Sequence, residues 1–158
     1  MDVDWNLDMN NRRNNMKNEF LELKQAENYI PYSPANIRFE GANFTTVSEK
    51  DGDLIFSVDC DNIIIKITFK GTTPFYLYSE QGIRMTTWAT VQKKYNDNDY
   101  FKKSPLFIVE NSVLSTMMDI ESCGFYSDSD IKHYCIVTDQ DVVDILSASA
   151  PEFDIVEL

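Results

Sequence analysis

A chain of 158 residues with 43% hydrophobic residues, five Gly and five Pro is long enough for one packed core and too short for two domains. Its 26 acids against 14 bases leave a net charge of −12, which repels phosphates and weighs against nucleic acid or an anionic membrane as partner. No apolar run approaches the roughly 18 residues that span a bilayer, and Met1–Trp5 lacks the basic-then-apolar order of a secretory signal, so a cytoplasmic location is expected.

In chain order, residues 1–11 are polar, with Trp5 and Leu7 as the apolar anchors. Met16, Phe20, Leu23 and Ala26 then recur at helical spacing, which predicts a helix from Arg12 to Asn28. Pro31 and Pro34 break it and launch a sheet. Ile37, Phe39 and Phe44–Val47 read as strand, and Asp51-Gly52 as a tight turn. Leu54–Cys60 and Ile63–Phe69 alternate apolar and polar residues around Asp61-Asn62, the pattern of a hairpin with one apolar face. Phe75 and Leu77, then Ile83, Met85 and Trp88, predict one or two more strands, all in meander order because the connections are short. A short helix and a loop fit Thr90–Ser104, where Asn96-Asp97-Asn98-Asp99 favours turns and caps.

Leu106–Val109 reads as strand, and Asn111 or Ser112 caps a helix ending at Cys123-Gly124. A loop over Ser127–Asp130 precedes Ile131–Val137. For Val142–Leu146 a helix capped by Asp139 competes with a strand, and the β-branched Val and Ile favour the strand. Phe153, Ile155 and Leu158 form a closing edge strand. The expected fold is therefore a single α+β domain, an antiparallel sheet of six to eight strands packed on two or three helices.

Chemistry-bearing motifs are sparse. His133, the one histidine, shares a strand face with Cys135, yet neighbours on one strand bring no third group to orient a Cys–His pair. A histidine with both ring nitrogens satisfied is the simpler reading, and a small hydrolase using His133 the alternative. Cys60, Cys123 and Cys135 have no CxxC spacing and read as reduced thiols. One His and scattered Cys do not form a zinc set, and Asp139, Asp141 and Asp144 at their spacings usually solvate a turn. No phosphate-binding glycine loop is present. No cofactor or metal is expected. Lys93-Lys94 and Lys102-Lys103 form a solvated face or an internal counterpart to the acids.

The charge asymmetry remains. Residues 106–158 hold one base, Lys132, against eleven acids, a net −10 of the chain's −12. Solubility is one reading of that excess. The other is an anionic face that steers a basic protein and docks it through aromatics. Glu121, Phe125, Tyr126, Asp128, Asp130, Asp139, Asp141 and Asp144 are its candidate contacts, with the turns at 128–130 and 139–141 facing outward. Leu106-Phe107-Ile108-Val109-Glu110-Asn111-Ser112, Asp119-Ile120-Glu121-Ser122, Lys132-His133-Tyr134 and Val142-Val143-Asp144-Ile145-Leu146 resemble small acidic bacterial toxin-immunity proteins. That resemblance covers about the last third of the chain. It implies a non-enzymatic protein that neutralises a cognate toxin, a basic nuclease being one whose positive cleft an acidic inhibitor fits. A phage anti-defence protein that mimics DNA rests on the same charge and is the alternative.

Overall fold

The computed structural model describes residues 5–32, 41–71, 75–126 and 130–158. Helix α1 (Trp5–Ala26) is followed by strands β1 (Asn28–Pro31), β2 (Phe44–Lys50), β3 (Asp53–Cys60), β4 (Ile63–Phe69) and β5 (Phe75–Glu80). A 3-10 turn at Gln81–Arg84 leads into α2 (Met85–Tyr95), a second 3-10 turn spans Tyr100–Lys103, and β6 (Leu106–Glu110) precedes α3 (Val113–Glu121). Strands β7 (Lys132–Val137), β8 (Asp141–Ser147) and β9 (Glu152–Glu157) complete a single α+β domain.

The described strands form two antiparallel sheets rather than the one expected. A five-stranded sheet runs β1-β6-β7-β8-β5 and a four-stranded sheet runs β2-β3-β4-β9. The meander holds for β2, β3 and β4; β5 then crosses to the larger sheet and β9 returns to pair with β4. Period-two alternation explains why two sheets suit this chain. Phe56, Val58, Ile65, Ile67 and Phe69 face Leu106, Tyr134, Ile136, Val143 and Ile145 across a dry inter-sheet core. On its other face the larger sheet presents Phe107, Val109, Cys135, Val137 and Val142 to Val91, Tyr100 and Phe101. The result is three layers: small sheet, large sheet, helices.

Local signals account for most of the elements. Asp51 and Gly52, at φ 55° and 83°, make the two-residue loop in which both turn positions need positive φ. Asn96 closes α2 in the left-handed region, with its N–H donating to Lys93 O. Ser112 is the N-cap of α3, its Oγ accepting the Ser115 N–H. The competition over 139–148 resolves as a strand, and Thr138 N–H to Asp141 O closes its hairpin with β7.

Three expectations need correction. Helix α1 begins at Trp5 and ends at Ala26, because Asn28 already pairs with Glu110 in the sheet. Its apolar positions Met16, Phe20 and Leu23 are exposed instead of facing the core. Ile83, Met85 and Trp88 are not strand: Trp88, Val91 and Tyr95 repeat at helical spacing, and Trp88 and Tyr95 pack on Phe101 and Tyr100. Of the two readings for Lys102 and Lys103, the solvated face holds: both are exposed and pair with Asp99 and Asp97 beside them. The strand expected at Ile37 and Phe39, and the side chains of Trp5 and Leu7, lie outside the described residues.

Candidate functional site

The chemistry-bearing residues gather on the helix side of the large sheet. His133 on β7 sits opposite Val109 and Leu146, and Asp144 lies on β8 opposite Cys135, so both point toward the helices. His133 Nε2 donates to Asp144 Oδ1 at 3.0 Å, and Nδ1 lies 2.7 Å from Ser112 Oγ in the β6–α3 turn. A carboxylate only accepts, which places a proton on Nε2, while Nδ1 shares the second hydrogen bond with the Ser112 hydroxyl. Arg84, from the turn before α2, donates to Asp144 Oδ2 at 2.6 Å. His133 and Asp144 are 2% and 1% exposed. Burial alone would push the Asp144 carboxyl up, but the hydrogen bond and electrostatic pull of His133, joined by the Arg84 charge, hold it well below the usual carboxylate range.

A hydroxyl, an imidazole and a carboxylate in this order form the chain used in acyl transfer. Two features set this one apart. Ser112 is buried and its oxygen is already committed to capping α3, and the free side of Asp144 is taken by the guanidinium. The chain therefore acts as a clasp joining the β6–α3 turn, β7, β8 and the 81–84 turn, with both ring nitrogens and both carboxylate oxygens engaged. Beside it, Glu27 accepts the Val113 N–H at 2.9 Å and Lys24 Nζ at 2.8 Å, tying the end of α1 to the start of α3.

Above the clasp lies an open groove of about 290 Å³, lined by Phe20 and Lys24 of α1, Leu77 of β5, Ile83, and Leu114 and Met117 of α3. Phe20, Leu77, Ile83 and Met117 are large apolar side chains left exposed, Ile83 at 74%. Ile120, one turn after Met117 on α3, and Phe125 beyond the helix are also exposed, at 70% and 76%.

The candidate contacts named from sequence do not form one surface. Glu121, Phe125, Tyr126 and Asp130 lie before β7, at its Lys132 end; Glu121, Phe125 and Asp130 are exposed and Tyr126 half-buried. Asp139 is exposed at the other end of β7, about 20 Å away along the strand. Asp141 and Asp144 do not face outward, which corrects the expectation for both. Asp144 belongs to the clasp. Asp141 accepts the Thr45 N–H of the small sheet at 2.7 Å and the Tyr78 hydroxyl of the large one, so it pins the two sheets together. Asp141 and Asp144 are thus committed to different partners, while Asp139 is exposed. Asp128 lies outside the described residues. On β9, Glu152 lies 3.8 Å from Lys70 and Asp154 pairs across the strands with Lys66, so bases interrupt that acidic row.

No protein-family model matches the chain, and no curated protein or solved structure matches it either. Among the described residues no helix is long and apolar enough to cross a membrane.

Sequence reasoning missed Arg84 and Glu27, whose partners lie far along the chain. It also missed the groove, since its rim comes from four separate elements. The stripe on α1 was visible as a helical repeat but carried no sign that Met16, Phe20 and Leu23 would be exposed.

Proposed function

We propose that this protein is a non-enzymatic binding protein that neutralises a basic partner, an immunity-type protein acting in the cytosol to block a cognate toxin. The observation that carries the reading is the groove rimmed by exposed Phe20, Leu77, Ile83 and Met117 on a chain of net charge −12. Apolar surface of this kind marks an interaction site, and the chain's net charge of −12 raises the encounter rate with a cationic protein. Ile120, one turn after Met117 on α3, is a further exposed apolar side chain. A nuclease, whose cleft must be positive to hold phosphates, is a partner of the right chemistry. The DNA-mimic reading is less well supported, because Lys66 and Lys70 break up the acids of β9.

The test is capture on the immobilised chain at low salt, with elution by rising salt and identification by mass spectrometry. Reversal of Glu121 and Asp139 should slow association with the captured protein and flatten its salt dependence. Unchanged association after reversal removes the electrostatic part of the reading. A second reading, hydrolysis by Ser112 with His133 and Asp144, rests on the order of those groups. Covalent labelling of Ser112 by a fluorophosphonate would favour it; no labelling of the folded chain leaves the clasp.

A further inference from the structure

The four sheet edges are not equally defended. Strand β1 is four residues long and ends in Pro31, β9 carries Glu152, Asp154 and Glu157, and β2 ends in Ser48, Glu49 and Lys50. These are the usual devices that stop an edge from pairing with another chain. Strand β5 has none before Glu80. It reads Phe-Tyr-Leu-Tyr-Ser-Glu, and Tyr76, Leu77 and Tyr78 are 44%, 43% and 43% exposed. Among the described strands it pairs with β8 alone.

The register fixes which backbone groups look outward. Gln81 N–H donates to Gln140 O, which makes Glu80–Asp141 a non-hydrogen-bonded pair, and alternation makes Tyr78–Val143 and Tyr76–Ile145 the same. The N–H and C=O of Tyr76, Tyr78 and Glu80 therefore point away from β8. Leu77, between them, lines the apolar groove.

We infer that β5 is the docking edge for an extended, cationic segment of a protein partner, which adds to the large sheet as a sixth strand. This rests on the binding reading above and names how the partner is held. Main-chain bonds to Tyr76 and Tyr78 supply the affinity. Alternate apolar residues of the segment lie over Leu77 and Ile83, and a base reaches the exposed Glu80 carboxylate. A second copy of this chain is the less favoured occupant, because two chains of −12 each repel one another.

The test uses the full chain and a blocked peptide of alternating Lys and Val, with an alternating Glu and Val peptide as control, followed by amide hydrogen exchange. At peptide ten times above its dissociation constant, the Tyr76 and Tyr78 amides should slow about tenfold, and the Glu peptide should leave them unchanged. Tyr76→Pro removes an outward N–H without breaking a hydrogen bond to β8 and should weaken peptide binding. Tyr78→Pro should weaken it as well but also gives up the hydroxyl bond to Asp141, so Tyr76→Pro is the deciding variant. Failure of the Lys peptide to bind, binding that leaves both amides unprotected, or equal protection by the Glu peptide overturns the inference. Protection in the free chain that grows with protein concentration assigns the edge to a second copy and overturns it too. If the captured partner binds wild type but not Ile83→Ser while the β5 amides stay unprotected, the edge fails and the binding reading stands. If no basic protein is captured, the binding reading fails and the inference falls with it.

Discussion

Asp144 holds His133 on one carboxylate oxygen and Arg84 on the other, at 3.0 and 2.6 Å, in a position only 1% exposed. Removing the carboxylate leaves a guanidinium under the helices with no counter-charge. Asp144→Ala should cost about 3–5 kcal/mol of stability in urea denaturation. Replacing Arg84, His133 and Asp144 together by Met, Leu and Leu should recover most of that loss. A triple variant no more stable than Asp144→Ala would mean that packing, not the stranded charge, sets the cost.

The same group sets an acid limit. Its folded-state pKa lies below the unfolded value of about 3.9, since His133 and Arg84 outweigh burial. Its contribution is therefore complete above that unfolded value and is lost as pH falls toward the depressed one. Wild type should lose stability steadily below about pH 4, whereas the triple variant should show a shallower slope there. Equal slopes would place the acid sensitivity in other carboxylates.

Asp141 and Asp139 stand two residues apart and should behave oppositely. Asp141→Ala strands the Thr45 N–H and frees the Tyr78 hydroxyl, at a cost of about 1–3 kcal/mol. Asp139→Ala, at an exposed turn, should stay within about 0.5 kcal/mol of wild type. The Tyr78 phenol, pushed up to about 12 chiefly by its bond to Asp141, should titrate lower in Asp141→Ala.

Thiol labelling separates the three cysteines. Cys123 is exposed while Cys60 and Cys135 are buried, and burial pushes the Cys60 thiol up to about 11. A thiol reagent at neutral pH should modify Cys123 at once and the other two only on unfolding. Rapid reaction of all three would contradict the burial of the β3 and β7 thiols.

At the groove, Ile83→Ser and Met117→Ser should each weaken the captured partner about tenfold or more, roughly 1.4 kcal/mol. Their folding stability should change by no more than about 0.5 kcal/mol. Loss of binding with matching loss of stability would remove the groove as a contact.

The amino-acid sequence by itself determined what depends on near neighbours. Alternation in Leu54–Cys60 and Ile63–Phe69, the Asp51-Gly52 turn, the Ser112 cap and the strands at 106–110, 132–137 and 141–147 all rest on local propensity. Where spacing was ambiguous, as at Ile83–Trp88, packing against Phe101 and Tyr100 chose the helix. Tertiary structure alone decided which strands share a sheet and which acids are inside. The clasp joins residues 21, 11 and 60 apart in sequence, and no periodicity encodes partners at that distance. Asp141 and Asp144 look like Asp139 in sequence. They became buried links because strand pairing brought donors to them and left Asp139 at a turn facing water.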